Sequence, residues 1–228
     1  MKLKPFKEVV NKPFAGLLNN RDRLILLWGG RGSGKSIAAI RLLIYRCLLE
    51  PYFKCILIRK VYDTVHESMF EAIKDEVETL GLEAFFTFTQ KPMVIKCVNG
   101  NKFIGRGLDK PDKLKSIKEP SMAWYEEGNQ ITEEDFITVT TSIRGKNARF
   151  LQEVFSFNPE TDGANFEDFW IYKKFFKGQG ERTFRDKIEV ENPVTKDLIS
   201  LSFTSIWSVY HDNPHVPDSF IATLEAMK

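Results

Sequence analysis

The segment GGRGSGKS at residues 29–36 limits the fold of this chain more than any other feature of its sequence. It fits the spacing G-x-x-x-x-G-K-S, whose glycines let backbone N–H groups turn inward around phosphate oxygens. The apolar run LILLW at residues 24–28 comes directly before it and predicts a buried strand. Helix-forming residues follow Lys35 until Pro51, with few polar positions among them. A strand, a glycine loop and a helix in this order predict an α/β domain that binds a nucleotide.

Each position of the loop has an expected contact with the nucleotide. The Lys35 ammonium group reaches the β- and γ-phosphates as a point charge, and the Ser36 hydroxyl binds Mg²⁺. The helix that starts here adds the positive end of its dipole. Arg31 is unusual in a loop made mostly of glycine, and its guanidinium group is expected near the phosphates or pointing across the site. The predicted nucleotide-binding residues are Gly29, Gly30, Arg31, Gly32, Ser33, Gly34, Lys35 and Ser36.

Strands and helices alternate along the chain as far as about residue 160. Further strands are predicted at residues 54–59, 93–98, 102–104, 121–125 and 150–157, and an amphipathic helix is predicted at residues 64–80. Thr132, which acidic residues follow, predicts another helix start. This order favours right-handed crossovers and a mostly parallel sheet flanked by helices. The remainder predicts a hairpin around residues 190–202 and a helix led by Pro217 and Asp218.

The overall charge does not decide whether nucleic acid is a partner. The 33 Lys and Arg residues against 31 Asp and Glu leave a net charge of +2, so a basic surface requires local clustering. The three cysteines form no CxxC pair or Cys/His cluster, which argues against a structural zinc site and for a reducing compartment. The sequence shows neither a signal peptide nor the roughly 18 apolar residues of a membrane span. We therefore expect a soluble intracellular protein.

A pair of glutamates, Glu126 and Glu127, follows the apolar run SMAWY at residues 121–125. Hydrolysis of a nucleotide needs an acid for the metal ion and a group that orients the attacking water. We assign Glu126 to the Mg²⁺ shell and Glu127 to the water as its base. Glutamate is longer than the commoner aspartate at the metal position, which predicts a looser or water-mediated metal contact. The alternative interpretation is a solvated acidic pair that caps a strand.

Asn158 follows the predicted strand at residues 150–157 and precedes Pro159. Ligands in open α/β sheets bind at the carboxyl ends of the strands. The Asn158 amide is therefore expected to reach the γ-phosphate from a neighbouring strand. Taken alone, an Asn-Pro pair indicates only a turn.

Seven segments extend these observations over nearly the whole chain. They are GGRGSGKS, KCILIRKVYDTVHESMF, NGNKFIGRGLDKPDKLKSIKEP, AWYEEGNQITEEDF, SIRG, SFNP and YHDNPHVPDSFIATLE. Together and in this order they resemble the ATPase half of a tailed-bacteriophage large terminase, the DNA-packaging motor protein. The resemblance implies a P-loop NTPase of the additional-strand catalytic-glutamate (RecA-like) type, with an ATPase core at residues 1–164 and a small lid or linker subdomain at residues 165–228. The nuclease domain of the family is not expected in this chain, which we interpret as one piece of a longer polypeptide.

The resemblance also implies roles for single residues. Lys35 and Ser36 hold phosphate and Mg²⁺, and Glu126 holds the metal ion. Glu127 is the catalytic carboxylate, and Asn158 couples the state of the γ-phosphate to movement.

The family further implies an arginine finger, which this chain offers at two places. We favour Arg31 as a sensor of phosphate or conformation within the subunit, and Arg144 as the finger that reaches a neighbouring subunit. Such a finger contributes about 10³–10⁵ in rate where it acts. The alternative for Arg144 is a surface charge or a DNA contact.

The activity that the resemblance implies is ATP hydrolysis, with Mg²⁺, that drives double-stranded DNA into a procapsid. The implied partners are double-stranded DNA, a portal protein, a small terminase subunit and further copies of the chain in a ring, at the portal vertex in the host cytoplasm. The alternatives are a helicase- or recombinase-like ATPase and a nucleotide-binding assembly module with negligible turnover in isolation. DNA would be held mainly by its phosphates. The candidate residues, each of which is otherwise a solvated charge, are Lys110, Lys113, Lys115, Lys118, Arg144, Lys146, Arg149, Lys173, Lys174 and Lys177.

Overall fold

A computed structural model describes residues 3–109, 114, 116–159 and 165–226. Its strands are β1 (Leu24–Gly29), β2 (Lys54–Arg59), β3 (Phe86–Thr89), β4 (Val94–Cys97), β5 (Lys102–Gly107), β6 (Met122–Glu126), β7 (Gln152–Phe157), β8 (Phe184–Glu191) and β9 (Leu198–Ser208). Over the residues described, these nine strands form one sheet in the order β3-β4-β5-β2-β6-β7-β1-β9-β8.

The helices lie before, between and after these strands. They are α1 (Phe6–Val9), α2 (Lys35–Leu49), α3 (Tyr62–Thr64), α4 (Glu71–Thr79), α5 (Glu133–Thr140) and α6 (Asp218–Ala226). Val65–Phe70 and Tyr172–Phe176 are π-helical. Short 3₁₀ turns lie at Lys12–Phe14, Leu17–Asn19, Glu83–Phe85, Gly128–Gln130, Phe166–Asp168 and Tyr210–Asp212. None of the helices in the described ranges is long and apolar enough to cross a membrane.

The centre of the sheet is parallel, which confirms the predicted fold class. Strands β5, β2, β6, β7, β1 and β9 run parallel to one another. Strands β3, β4 and β8 are antiparallel to their neighbours and form the two ends of the sheet. Parallel strands require crossover connections rather than tight turns. α5 lies in the crossover between the neighbours β6 and β7, and α2 lies in the crossover from β1 to β2, which is two strands further along the sheet than a direct neighbour. The carboxyl ends of the parallel strands therefore meet along one edge.

Two apolar clusters cover the two faces of the sheet, because alternate side chains of a buried strand point to opposite sides. On β1, Ile25 and Leu27 pack in the cluster that contains most of α2. Leu24 and Leu26 pack in the second cluster, with the aromatic residues Tyr125 and Phe155. Burial on both faces explains why β1 reads as an unbroken apolar run in the sequence.

The amphipathic helix predicted at residues 64–80 is present, and its first part, Val65–Phe70, is π-helical. α3, the π-helical segment and α4 follow one another without a break from residue 62 to residue 79. Val65, Met69, Ile73 and Val77 are fully buried, as their spacing predicts. The helix start predicted at Thr132 is also confirmed, because Thr132 and Asp135 exchange side-chain and backbone hydrogen bonds of 3.1 Å in a capping box.

The hairpin of β8 and β9 lies beyond the division at residue 164, which stays a prediction. β8 and β9, which lie within the expected lid or linker at residues 165–228, are strands of the main sheet. β9 pairs in parallel with β1, and Leu24 lies opposite Phe203. The glycine-loop strand β1 is thereby an interior strand with a partner on each side. The hairpin signal near residues 190–202 revealed the turn, but long-range pairing of β9 with β1 leaves no local mark in the sequence.

Candidate nucleotide site

A cavity of about 760 Å³ opens where the parallel strands end. It is lined by residues 31–37 of the glycine loop, by residues 126 and 127 after β6, and by residues 156–158 at the end of β7. Asn129, Gln130 and Asn213 also line it. Its volume lies in the range of about 300–1,000 Å³ that is usual for small-molecule sites. The predicted loop, the acidic pair and Asn158 thus share one cavity.

Backbone geometry explains the glycine at the first position of the loop. Gly29 has φ of +127°, a conformation that side-chain-bearing residues rarely adopt. A Cβ atom there would lie 2.1 Å from the carbonyl oxygen of Ser208. That same oxygen accepts a hydrogen bond of 3.1 Å from the Gly30 amide. The loop therefore leaves β1 in direct contact with the end of β9.

The Lys35 ammonium group lies at the centre of the site. It donates hydrogen bonds to the Gly30 carbonyl oxygen at 2.6 Å, the Ser33 hydroxyl at 3.1 Å and Asn158 Oδ1 at 3.0 Å. The residue is buried, with 7% of its surface exposed. Lys35 therefore links the glycine loop to the end of β7 through Asn158, the residue proposed from sequence to report on the γ-phosphate.

Ser36 and Glu126 form the part of the site that suits a metal ion. The Ser36 hydroxyl donates to Glu126 Oε1 at 2.8 Å, and the Ser156 hydroxyl donates to the other carboxylate oxygen. Burial raises the pKa of Glu126, while the hydrogen bonds from Ser156 and Ser36 act in the opposite direction. The glutamate side chain thus reaches the Ser36 hydroxyl directly, and the looser or water-mediated metal contact expected from its length stays a prediction.

These oxygens are ligands of the kind that Mg²⁺ prefers. Magnesium sites usually combine one or two carboxylates with waters and substrate phosphates rather than an all-protein cage. Within the described ranges, no group of three or more His, Cys, Asp or Glu side chains is arranged to hold a metal ion. One hydroxyl and one carboxylate beside a phosphate loop fit a magnesium ion that shares its coordination with a bound nucleotide.

Glu127 is held differently from its neighbour. Its backbone is left-handed, with φ of +52°, which is uncommon for a residue other than glycine and typical of functional sites. Glu127 Oε2 accepts hydrogen bonds from Arg59 at 2.6 Å and from Gln130 at 2.8 Å. Its side chain is 46% exposed. Two donors on a single oxygen fix the carboxylate while it remains open to water.

Three contributors to the site escaped the sequence analysis: Arg59, Gln130 and Ser156. Arg59 ends the buried strand β2 and is only 8% exposed. Its position at the end of an apolar strand could have marked Arg59 as a site residue. Its partner Glu127 follows another strand, so the sequence did not indicate the contact. Ser156 precedes Asn158 by two positions in SFNP, and strand alternation places it on the same side as Asn158.

The two candidate arginines lie in different places. Arg31 is exposed and lines the cavity. The Arg144 amide donates to the carbonyl oxygen of Pro120 at 3.0 Å, just before β6 begins. At about 3.3 Å per residue, the six positions from Pro120 to Glu126 correspond to roughly 20 Å along the chain. The structure therefore does not bring exposed Arg144 into the cavity of its own subunit.

The carboxyl-terminal part of the chain contacts the loop. The Asn213 side chain donates to the Gly32 carbonyl oxygen at 2.7 Å. A Cβ atom at Gly32 would lie 2.8 Å from the Phe220 ring, which belongs to α6. From the other side, the Asn11 side chain donates to the Ser33 carbonyl oxygen at 3.2 Å. The segment that contains HDNP is thus in direct contact with the glycine loop.

The basic residues proposed for DNA contact have mixed environments. Lys110, Lys113 and Lys115 lie outside the described residues. Lys118, Lys146 and Arg149 are exposed, as is Lys177. Lys174 pairs with Glu133, and Lys173 lies 4.0 Å from Asp168.

Comparison with known proteins points to one group. A family model described as "Phage terminase large subunit" matches residues 21–228. The PBSX phage terminase large subunit of Bacillus subtilis strain 168 is 28% identical over 203 residues, which is 89% of this chain and 45% of that protein. The large terminase subunit of Bacillus phage SPP1 is 32% identical over 124 residues, or 52% of this chain and 29% of that protein. The chain thus spans less than half the length of these relatives.

Solved structures agree in fold. The large terminase of a thermophilic bacteriophage matches with a TM-score of 0.69 at 11% identity, over 96% of this chain and 50% of that one. The ATPase domain of the Thermus phage P74-26 large terminase matches with a TM-score of 0.60 at 16% identity, over 97% of this chain and 92% of that domain.

Proposed function

Because the chain belongs to the phage terminase large-subunit family, we propose that its cavity binds ATP and hydrolyses it to drive double-stranded DNA into a procapsid. One observation carries the proposal. The Lys35 ammonium group, the Ser36–Glu126 pair and the Arg59-bound carboxylate of Glu127 all lie at one cavity. The first of the two solved terminases compared above also has structures with ADP and with ATP-γ-S bound, which support ATP as the nucleotide.

The phosphate loop and Lys35 bind and orient the triphosphate. Glu127 accepts a proton from a water molecule while the water oxygen forms a bond to the γ-phosphorus. The bond from the γ-phosphorus to the β–γ bridging oxygen breaks, and ADP and phosphate are the products. Ser36 and Glu126 would hold Mg²⁺, which neutralises charge on the phosphate oxygens when bound.

Lys35 also offers a physical link between hydrolysis and movement. Its ammonium group has three protons to donate, and Asn158 Oδ1 receives one of its hydrogen bonds. The β- and γ-phosphates of ATP compete for the same donors. The Asn158 side chain thereby exchanges Lys35 for the γ-phosphate when the triphosphate binds, and loss of the γ-phosphate releases it. Asn213 and Phe220 contact the same loop and are in place to pass this change to α6.

The proposed partners are double-stranded DNA, a portal protein, a small terminase subunit and other copies of the chain in a ring, in the host cytoplasm. A chain of the bacteriophage Phi-29 viral genome packaging motor assembly shares the fold, with a TM-score of 0.50 at 16% identity. That likeness supports a packaging role. Within such a motor, we propose that Arg144 completes the site of a neighbouring subunit and that Arg31 senses the nucleotide within its own subunit.

Steady-state phosphate release, with and without duplex DNA and portal-bearing procapsids, tests the proposal. We expect ATP hydrolysis that rises when all components are present. Strand unwinding or stimulation by single strands alone would favour the helicase-like alternative. ATP binding with no turnover under any of these conditions would favour the assembly module.

Replacing Lys35 with alanine should weaken ATP binding by about 10- to 100-fold, because a charge-assisted hydrogen bond to the phosphates is lost. Binding of a fluorescent ATP analogue measures this change. The exposed Lys7, which lies in α1, supplies the control Lys7→Ala, which should bind as the unaltered chain does. Equal affinity of the Lys35→Ala variant and the unaltered chain would contradict the assignment.

Arg59→Met should reduce the turnover number by about 10- to 100-fold with a smaller effect on ATP affinity. The reason is that Glu127 loses the donor that orients it, and small misplacements of a catalytic group are costly. Ser68→Ala is the matched control, since it removes the other side-chain partner of Arg59, at 3.3 Å. Turnover and melting temperature are measured together. An unchanged turnover number in a folded Arg59→Met variant would refute the orienting role.

A further inference from the structure

Three lysines lie side by side at the edge of the sheet where the parallel strands β2 and β5 begin, which is the edge opposite the cavity. Lys54 on β2 is the register partner of Lys102 on β5, and Lys102 is also the register partner of Lys96 on β4. Residues in register on neighbouring strands point to the same face. We call Lys54, Lys102 and Lys96 the lysine ladder. It lies on the face of the sheet to which Ile56 and Ile104 contribute.

The ladder is an unfavourable arrangement for the isolated fold. Like charges directly opposite one another on a sheet repel. Burial, followed by the positive charges of Lys54 and Lys96, lowers the pKa of Lys102. Over the part of the chain that the structure describes, none of the three forms an ion pair with an acidic side chain. The Lys54 ammonium group instead donates to the carbonyl oxygen of Lys118.

The surroundings extend the positive charge along the same edge. Ser121 donates its amide to the Lys54 carbonyl oxygen at 2.9 Å, and Pro120, just before it, accepts the Arg144 amide. Lys118 lies two positions before Pro120 and Lys146 two positions after Arg144, and both lysines are exposed. Glu119 contributes a carbonyl oxygen to the Tyr52 hydroxyl at 2.7 Å. Glu119 is acidic, but Lys118, Arg144 and Lys146 outnumber it, so the edge beside the ladder carries a net positive charge.

We propose that the lysine ladder binds the phosphate backbone of duplex DNA. The proposal rests on the function argued above, in which the chain acts on DNA. Neighbouring strands lie about 4.8 Å apart, so the ladder spans roughly 10 Å. A duplex presents about six phosphates over that length. Contacts of this kind carry no base information and suit a protein that must hold DNA of any sequence.

The use of lysine in the ladder argues for duplex DNA as the partner rather than an acidic protein surface. Lysine binds phosphate as a point charge, whereas it is depleted at the centres of protein–protein interfaces, where aromatic residues and arginine dominate. The position of the ladder also separates it from nucleotide chemistry. β2 begins at Lys54 and ends at Arg59, so the ladder and the Glu127 carboxylate lie at opposite ends of that strand.

The test compares three variants of the chain in binding a fluorescent 30-base-pair duplex, by anisotropy at several salt concentrations. The first, K54Q/K96Q/K102Q, removes the ladder charges. The second, K54R/K96R/K102R, keeps them. The third, K7Q/K187Q/K196Q, removes the same charge from exposed lysines elsewhere; Lys187 and Lys196 are paired with Glu189 and Glu191.

We expect the glutamine ladder variant to bind the duplex at least about tenfold more weakly, and the slope of log affinity against log salt to shrink by about 2 to 3, since each phosphate contact contributes about 0.9. The arginine variant and the control should keep the affinity and the slope. Unchanged binding by the glutamine ladder variant, or an equal loss in the control, would overturn the proposal.

Further readouts separate this inference from the proposed function. The glutamine ladder variant should melt within a few degrees of the unaltered chain, because the repulsion that is removed offsets the lost hydrogen bond from Lys54 to Lys118; a large fall in melting temperature would indicate a structural role and count against the proposal. Its ATP hydrolysis without DNA should be unchanged. A chain that hydrolyses ATP but binds DNA equally with and without the ladder retains the proposed function and refutes the inference. A chain that binds DNA through the ladder but hydrolyses no ATP under any condition would retain the inference and refute the proposed ATPase function.

Discussion

Replacing Glu127 with glutamine should lower the rate of ATP hydrolysis by about 10²- to 10⁴-fold, the usual contribution of a general base. Glutamine preserves the length of the side chain, and its carbonyl oxygen can still accept the hydrogen bond that Arg59 now donates at 2.6 Å. It cannot take a proton from water. ATP affinity should stay close to that of the unaltered chain, because Lys35 and the phosphate loop are untouched.

Single-turnover phosphate release measures the chemical step, and binding of a fluorescent ATP analogue measures affinity. The control is Glu134→Gln, a change of the same kind at an exposed glutamate in α5, which should leave both quantities unchanged. A Glu127→Gln variant with normal single-turnover hydrolysis would show that another group activates the water.

Replacing Arg144 with alanine should reduce ATP hydrolysis by the assembled ring by about 10³-fold or more, the range found for arginine fingers. Arg144 lies at the edge of the sheet opposite its own cavity, so any catalytic contribution must be made to a neighbouring subunit. The expected loss therefore depends on assembly. The rate of the dilute, unassembled chain should be unaffected.

Mixing two inactive variants gives the sharper test of Arg144. An Arg144→Ala subunit keeps Glu127, and a Glu127→Gln subunit keeps Arg144. In a mixed ring, the second can supply its arginine to the cavity of the first, so activity should return on mixing. The control, Arg149→Ala, changes another exposed arginine of the same loop and should stay active without a partner.

Two outcomes would contradict the finger. One is an Arg144→Ala ring that retains its ATPase rate. The other is a pair of variants that stays inactive after verified co-assembly. Retained hydrolysis together with weaker duplex binding would assign Arg144 to the basic edge beside the lysine ladder instead.

The parts of the site that could be read from the sequence are those whose chemistry is local. Residues 24–36 predict a strand, a loop and a helix because each is specified by neighbouring residues, and the structure confirms all three elements. Glu126 and Asn158 could be proposed because each follows an apolar strand, and parallel strands end at one edge. That rule also predicted that they would face a common cavity.

The arrangements that remained hidden depend on partners distant in the chain. Arg59 and Glu127 are separated by 68 positions and meet only because β2 and β6 are neighbours in the sheet. The lysine ladder depends on the register of β2, β5 and β4, which no single segment reveals. The contact of Asn213 with Gly32 spans 181 positions.

The sequence by itself determined the α/β class, the phosphate loop, the acidic pair and the family resemblance, because short-range periodicity and motif spacing encode them. Only the tertiary structure decided that β9 belongs to the main sheet, that Arg59 holds Glu127 and that Arg144 lies away from its own cavity. Strand order and register follow from packing energies summed over the whole chain. Residues that meet through such pairing carry no local signature, so they become visible only once the sheet has been assembled.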